Sequence, residues 1–273
     1  LDGKLDDVAW GNAEIISGFT QFSPNPGNAS TQRTEIRILY DDEAIYVGAH
    51  MFDTAPDSIL MQYSQRDQIK NSDEFGIQFS PYNDGINGVA FATTPAGILV
   101  DVNISPTGQD FNWDAVWDVR TFVDENGWTA EFKIPWAALR FAKMEQGEEI
   151  IWGLNFYRKI RRLREHSVWE PMDPTSTVEG MRENGALHGF RQITPPLRMT
   201  LFPYVSVYGE NKEDGKLGSR VNGGMDLKAG IGDAFTLDMT LIPDFGQVVA
   251  DNLVLNLSAF EIEFQDNRPF FTE

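Results

Sequence analysis

Cysteine is absent from the 273 residues. That excludes disulfides, thiolate nucleophiles and sulfur-ligated metals, and it fits a Gram-negative envelope protein as well as a cytosolic one. Basic residues are few, 22 against 41 acidic ones, for a formal net charge of -19. Nucleic-acid binding needs a basic footprint, so that class of partner is excluded. The acidity is spread along the chain and describes a solvated surface. Histidine is scarce: His50, His166 and His188 lie in unrelated contexts and share no metal-ligand spacing. No nucleophile elbow or phosphate-cradling glycine loop occurs, and in so acidic a chain a pair of carboxylates carries no information about glycoside hydrolysis. An enzyme is therefore not expected. No apolar run reaches the length of a membrane helix and no signal peptide opens the chain, so the expectation is a cytosolic protein or one whose leader has been removed.

What is abundant favours β structure: 19 Phe, 7 Trp, 7 Tyr and 24 Gly. From Leu1 to about Pro196 the chain reads as short strands separated by turn clusters, the pattern of an antiparallel β-sandwich. Ile36, Ile38 and Tyr40 alternate with polar residues before "DDEA" turns into "IYVGAHMF". Phe75, Ile77 and Phe79 repeat the alternation, as do Val89 and Phe91, then Ile98, Val100, Val102 and Ile104. Trp128, Ala130, Phe132 and Ile134 share one strand face, and Ile150, Trp152, Leu154 and Phe156 another. One helical turn is expected at "PWAALRF", with Pro135 at its start. "TPPLRM" marks a boundary, because Pro195 and Pro196 break a strand and stiffen a linker. The expected domains are thus residues 1–196 and 197–273.

Beyond the double proline the strands lengthen. In "GMDLKAGIGDAFTLDMTL" a three-residue loop, Gly232 to Ala234, places Ala229 opposite Leu237, Leu227 opposite Met239 and Met225 opposite Leu241. Lys228 then faces Asp238 and Asp226 faces Thr240. A two-residue loop would set Lys228 against Leu237 and mix the faces, which the side-chain period of two forbids. One face is aliphatic and the other polar. A soluble sandwich core and the lipid side of a membrane barrel would both satisfy that pattern.

"LDGKLDDVAW" resembles the opening of carbohydrate-binding module family 9 and its DOMON-like relatives, and the likeness continues through "IRILYDDEAIYVGAHMFD", "SDEFGIQFSPYND", "VAFATTPAG", "GWTAEFKIPWAALRF" and "WGLNFYRKIRR". The tail, above all "PDFGQVVAD" and "NRPFF", resembles the barrel start of bacterial outer-membrane proteins in which a family 9-like domain precedes a large C-terminal barrel. The resemblance implies an all-β fold: a sandwich followed by the long amphipathic strands of a truncated outer-membrane barrel. It implies a non-catalytic domain in the periplasm that binds saccharide or glycan, tethered to the outer membrane by its C-terminal strands. The alternative is an accessory domain without sugar binding that gates the barrel or docks envelope partners. Structural calcium is a further implication, to be held by acidic clusters such as Asp6-Asp7, Asp41 to Glu43 and Asp53 to Asp57, although turn chemistry also explains these. A chain ending at Glu273 is too short to close such a barrel, so a fragment is expected.

Sugar-binding members of the family hold a sugar between two aromatic rings while polar groups read its hydroxyls. Glu74 in "DEFGIQF" matches the family's sugar-contacting glutamate, but the arginine expected on the following strand is missing from "VAFATTP". Trp113, Tyr82 and Trp169 are the ring faces expected at a site, with Asn112, Asp114 and Glu74 as polar readers. Against this, Trp117 reads as core and Trp113 as a cap on the sandwich edge. Six basic residues between Arg158 and His166 read either as a patch for anionic headgroups or acidic glycans, or as a strand end paired with the chain's own carboxylates. Haem, bound by some DOMON-like relatives, would need His and Met from facing strands, whereas His50 and Met51 are adjacent and point to opposite faces.

Overall fold

The structure is a computed structural model; it describes residues 1–143, 150–172, 181–191, 193–196, 199–211, 217–231 and 235–242. They fall into two compact units, Leu1–Pro196 and Leu197–Glu273, each considered by itself.

The first unit contains two antiparallel sheets. The smaller has the order β2 (Thr34–Tyr40), β3 (Ala44–Phe52), β9 (Gly127–Pro135), β8 (Asp118–Asp124). The larger runs β1 (Thr20–Ser23), β11 (Glu165–Val168), β10 (Trp152–Ile160), β4 (Glu74–Ser80), β5 (Gly88–Thr93), β6 (Leu99–Ser105), β7 (Gly108–Asp110); β12 (Gly185–Leu187) also pairs with β10. Phe75, Ile77, Phe79 and Phe91 of the large sheet, with Trp152, Leu154 and Phe156, meet Ile45, Val47, Trp128, Phe132 and Ile134 of the small one in a single buried cluster. Strict alternation makes this possible, since every second residue of β4, β9 and β10 turns inward. Trp117 lies in this core with its ring stacked on Phe132, centroids 5.7 Å apart.

The opening phrase closes the outer side of the small sheet. The backbone N–H groups of Asp2 and Gly3 donate to Glu131 Oε2 at 2.8 and 2.9 Å. Trp10, on the short helix α1 (Val8–Gly11), donates from Nε1 to Glu131 Oε1 at 2.9 Å. Its ring lies over Gly48, where a Cβ would meet both Leu5 and Trp10. The helical turn expected at Pro135 is a 3-10 turn at Trp136–Ala138, with Pro135 ending β9. Helix α1 was not foreseen: four residues are too few to show a helical period.

A charged bridge joins the two sheets at one edge. Arg158 projects inward from β10 and is 1% exposed; its Nη1 donates to Arg33 O and Thr34 Oγ1, and its Nη2 to Phe52 O at 2.8 Å. Arg162 grips Asp53 with two bonds of 2.6 and 2.7 Å. Burial pushes the Asp53 carboxyl up, but the bonds from Arg162 and the Ala55 N–H outweigh it and hold the group below its ordinary range. The basic run from Arg158 is therefore paired within the chain at Arg158, Lys159 and Arg162.

The second unit is a three-stranded meander, β13 (Met199–Asn211), β14 (Leu217–Ile231) and β15 (Phe235–Leu241). Its hairpin pairs Ala229 with Leu237, Leu227 with Met239, Met225 with Leu241 and Lys228 with Asp238, the register expected from the sequence. Lys228 Nζ lies 3.9 Å from Asp238 Oδ1. Met199, Leu201, Val205, Val207, Val221, Leu237, Met239 and Leu241 line one face, and all are exposed, Val205 at 73%. The opposite face carries Asp226, Asp238, Asn222 and Ser206, together with the aromatic Phe202 and Tyr204. The described residues form no closed barrel, and none of their helices is long and apolar enough to cross a membrane, which says nothing about crossing with strands. The "PDFGQVVAD" and "NRPFF" phrases lie outside the described residues.

Candidate functional site

The outer face of the large sheet is organised in rows by strand register. Lys159 of β10 lies beside Glu74 of β4. The next row is Tyr157, Gly76, Ala92 and Val100; then Asn155, Gln78, Ala90 and Val102. Gly153 and Ser80 lead the last row, in which Gly88 pairs with Ile104. Neighbouring strands are about 4.8 Å apart, so each row is a patch the width of one or two sugar rings.

At one end of this face Glu74 is buried and engaged. Tyr157 Oη donates to Glu74 Oε1 at 2.6 Å, and Lys159 Nζ lies 3.1 Å from Oε2. The Tyr157 ring lies over Gly76, where a Cβ would overlap it, so glycine at 76 is what lets the hydroxyl reach Glu74. Burial first, and then the Glu74 charge, push the Tyr157 hydroxyl well above its ordinary pKa. His166 packs edge-on against Tyr157 and at a tilt against Phe22. Burial and the Lys159 charge bring its pKa down to about 4, so it is neutral at neutral pH. At the other end of the face are side-chain amides. Asn155 is spent on the chain, accepting from Glu170 N and donating to Glu170 O. Gln78 and Asn184 both point at Met181, which lies with Ala90, Ala92, Val100, Val102 and Ile104 in a second apolar cluster.

The residues expected at a site occupy separate places. Glu74 is on the outer face as described. Tyr82 is exposed in the turn after β4, more than six residues along from Glu74. Trp169 follows β11 and is half-buried, its ring 5.8 Å from Phe156 and in the space that a side chain at Gly185 would need. Trp113 is half-buried against Phe91 on β5, two strands away from Phe156 on β10. Asn112 and Asp114 are exposed beside it, and Asp114 Oδ1 forms an ion pair with Arg66, 3.0 Å from its Nε. The structure thus brings together Trp113, Asn112 and Asp114, and separates them from Trp169 by the intervening strand β4.

Arg66 is the centre of that second group. It bonds the buried Asp101 at 2.5 Å and Ala115 O at 2.7 Å, with Asp67 Oδ2 3.6 Å away. Burial, with the neighbouring Asp101 and Asp114 charges, raises Asp67 to about 6 against the opposing influence of the Asp101 N–H and Arg66. Asp67, Asp101 and Asp114 each offer a carboxylate oxygen within 4.8 Å of the others. They do not fit a calcium ion in this arrangement, because the guanidinium of Arg66 already supplies the positive charge between them. Of the acidic clusters named for calcium, Asp41 caps the turn into β3 through the N–H groups of Glu43 and Ala44, and Asp53 is engaged by Arg162.

Tyr157, Lys159 and Gln78 were not expected as site residues. Alternation in "EFGIQF" and "NFYRK" would have found them, since Glu74, Gly76 and Gln78, and Asn155, Tyr157 and Lys159, share faces by the period of two. Met181 and Asn184 had no such signal, because they reach the face from outside the strands that build it.

The profile of the carbohydrate family 9 binding domain-like family matches residues 1–168, and that of a domain of unknown function, DUF5916, matches residues 195–273. Among curated proteins none matches the chain. Among solved structures, a Bacteroides uniformis protein described as a candidate carbohydrate-binding protein is 14% identical with a TM-score of 0.52, over 66% of this chain and 88% of that one. A family 9 carbohydrate-binding module from Caldicellulosiruptor kristjanssonii, solved with cellotriose, is 16% identical with a TM-score of 0.46, over 69% of this chain and 87% of that one. The same organism's module solved with glucose is 16% identical with a TM-score of 0.47, over 72% and 94%. At such identities the first of these likenesses speaks to the fold alone. The profile match spans more than half of the sequence, and the chain belongs to the carbohydrate family 9 binding domain-like family.

Proposed function

We propose that residues 1–196 are a non-catalytic saccharide-binding domain of an outer-membrane protein, working in the periplasm, and that the strands from residue 199 begin a barrel whose aliphatic face meets lipid. The observation that carries the binding reading is the composition of the outer sheet face. Small residues at Ala90 and Ala92 form a buried floor, continued by Gly76 beneath the Tyr157 ring and bordered by Glu74, Lys159, Gln78 and Asn184. Apolar floors with a few fixed polar groups suit sugars, whose C–H faces and hydroxyls need both. The membrane reading is supported by the one-sided exposure of aliphatic residues on β13, β14 and β15.

One observation favours the alternative, an accessory domain that docks envelope partners without binding sugar: Glu74 already has its partners in Tyr157 and Lys159. Titration calorimetry of the intact protein with glucose, cellotriose and peptidoglycan fragments separates the two. Saccharide binding that is lost in Gln78→Ala supports the module; no heat with any saccharide supports the accessory role.

A further inference from the structure

Met181 opens a 3-10 turn, Met181–Glu183, and is 3% exposed, with its side chain against the small floor of the outer face. Two features set this contact apart from ordinary core packing. The first is its polar surroundings. Gln78 Nε2 approaches Met181 Sδ at 3.1 Å and Asn184 Nδ2 approaches it at 3.7 Å. A thioether is a weak acceptor, yet two amide N–H groups are aimed at it. Asn184 Oδ1, moreover, is buried without a partner among the described residues. Both amides are half-buried, and a buried oxygen such as Asn184 Oδ1 left without a partner loses free energy that a good donor would restore.

The second feature is the space. A Cβ at position 88 would collide with Met181 Cε and Sδ and with Phe79 O, so the methyl group lies in a notch that exists because residue 88 is glycine. Ala90 and Ala92 continue this low floor along β5. The result is a shallow apolar strip with two amides at its rim. Ile69, Ile98 and Tyr157 also pack against it, and the notch at Gly88 is filled by one flexible, unbranched side chain, Met181.

We infer that Met181 is a displaceable plug in a saccharide subsite, with Gln78 and Asn184 as its hydroxyl-binding groups and Ala90, Ala92 and Gly88 as its floor. A sugar hydroxyl both accepts and donates. One hydroxyl in place of the sulfur would accept from the amides and return a hydrogen to Asn184 Oδ1, while the sugar's C–H face would replace the thioether methyl. The subsite is open only when Met181 is out, so apparent affinity is the intrinsic affinity reduced by the open fraction. This inference rests on the saccharide-binding reading above, and it adds a residue that limits binding.

The test uses the intact protein with glucose and cellotriose as probes, and follows hydrogen-peroxide oxidation of each methionine by peptide mass spectrometry. Met51, fully buried between the sheets, reports global opening. Met181 is expected to oxidise at least tenfold faster than Met51, and saccharide is expected to accelerate it, the reverse of the protection a ligand gives to residues it covers. Met181→Ala should bind saccharide at least tenfold more tightly than the parent. Met181→Leu keeps the volume and the fold but offers the amides no acceptor, and it should also gain affinity. Met181 oxidising in step with Met51, with or without saccharide, overturns the plug whatever the binding data show. Saccharide binding that leaves Met181 oxidation unchanged, and is the same in all three proteins, overturns the subsite but leaves the domain a saccharide binder. No saccharide bound by the parent or either variant overturns the binding reading and the inference together.

Discussion

The indole N–H of Trp10 donates to Glu131 Oε1 at 2.9 Å, across 121 residues of sequence. The same carboxylate accepts the backbone N–H groups of Asp2 and Gly3, so one buried side chain on β9 anchors the whole opening phrase. Glu131→Ala leaves three donors without that acceptor, and the expected loss is about 2–4 kcal/mol. Glu131→Gln keeps an acceptor oxygen and should lose less. Urea denaturation followed by tryptophan fluorescence measures both; equal midpoints for parent and Glu131→Ala would remove Glu131 as the anchor.

Arg158→Met is expected to cost about 3–5 kcal/mol, the usual consequence of breaking a buried charged network from one side. Phe52 O and Thr34 Oγ1 lose the guanidinium donor and Arg33 O keeps the Phe52 N–H, while Asp53 keeps Arg162. Arg164→Ala, at an exposed position in the same basic run, should change stability by less than about 0.5 kcal/mol. Comparable losses in the two variants would show that the run acts as a diffuse charge rather than through the bridge.

Asp67 gives a pH dependence. Its folded-state pKa of about 6 lies above the ordinary aspartate value, so the folded protein holds that proton more tightly than the unfolded chain. Its contribution is full below the unfolded pKa and is lost as pH rises through about 6. Asp67→Asn keeps the acceptor for the Asp101 N–H and suits the left-handed backbone at this position, φ 61°. The variant should be more stable than the parent by roughly 1–3 kcal/mol at pH 7, with the difference shrinking towards pH 4. Urea midpoints at pH 4, 5.5 and 7 check this, and a difference independent of pH would contradict it.

The aliphatic face of the second unit makes a prediction about lipid. Leu227 lies between Leu201 and Met239 on that face, and Asp226 is on the other. Leu227→Arg should weaken co-flotation of the protein with phosphatidylcholine vesicles, by about 2–4 kcal/mol at the middle of a bilayer, while Asp226→Arg should have little effect. Equal flotation of the two variants would count against a lipid-facing side.

The candidate site was only partly legible. Glu74 was reached through a family resemblance, and its outer-face neighbours Gln78 and Tyr157 are implied by alternation, because strand periodicity assigns faces locally. That Glu74 is occupied by Tyr157 could not be read, since the contact depends on Gly76 leaving room across a strand pair. Trp113 and Trp169 read as ring faces from their loop contexts and the family's aromatic clamp, whereas each is half-buried against a different strand of the large sheet. Trp117 as core, and Trp113 at the sandwich edge, followed from the preference of tryptophan for burial.

Sequence alone determined the inward faces of β2, β4, β5, β9 and β10 and the hairpin register of the second unit, because each follows from a two-residue period and a short loop. The short strands β1, β7, β11 and β12 carried no such signal, and the apolar row of β6 faces outward. Sequence also determined the absence of cysteine chemistry and the acidic surface by composition. Only tertiary structure decided which distant groups meet: Glu131 with the first ten residues, Arg158 with the carbonyls of the facing sheet, Arg66 with three carboxylates, and Met181 with the amides of the outer face. These pairings depend on how sheets stack and where connections cross them, and a local period carries no information about either.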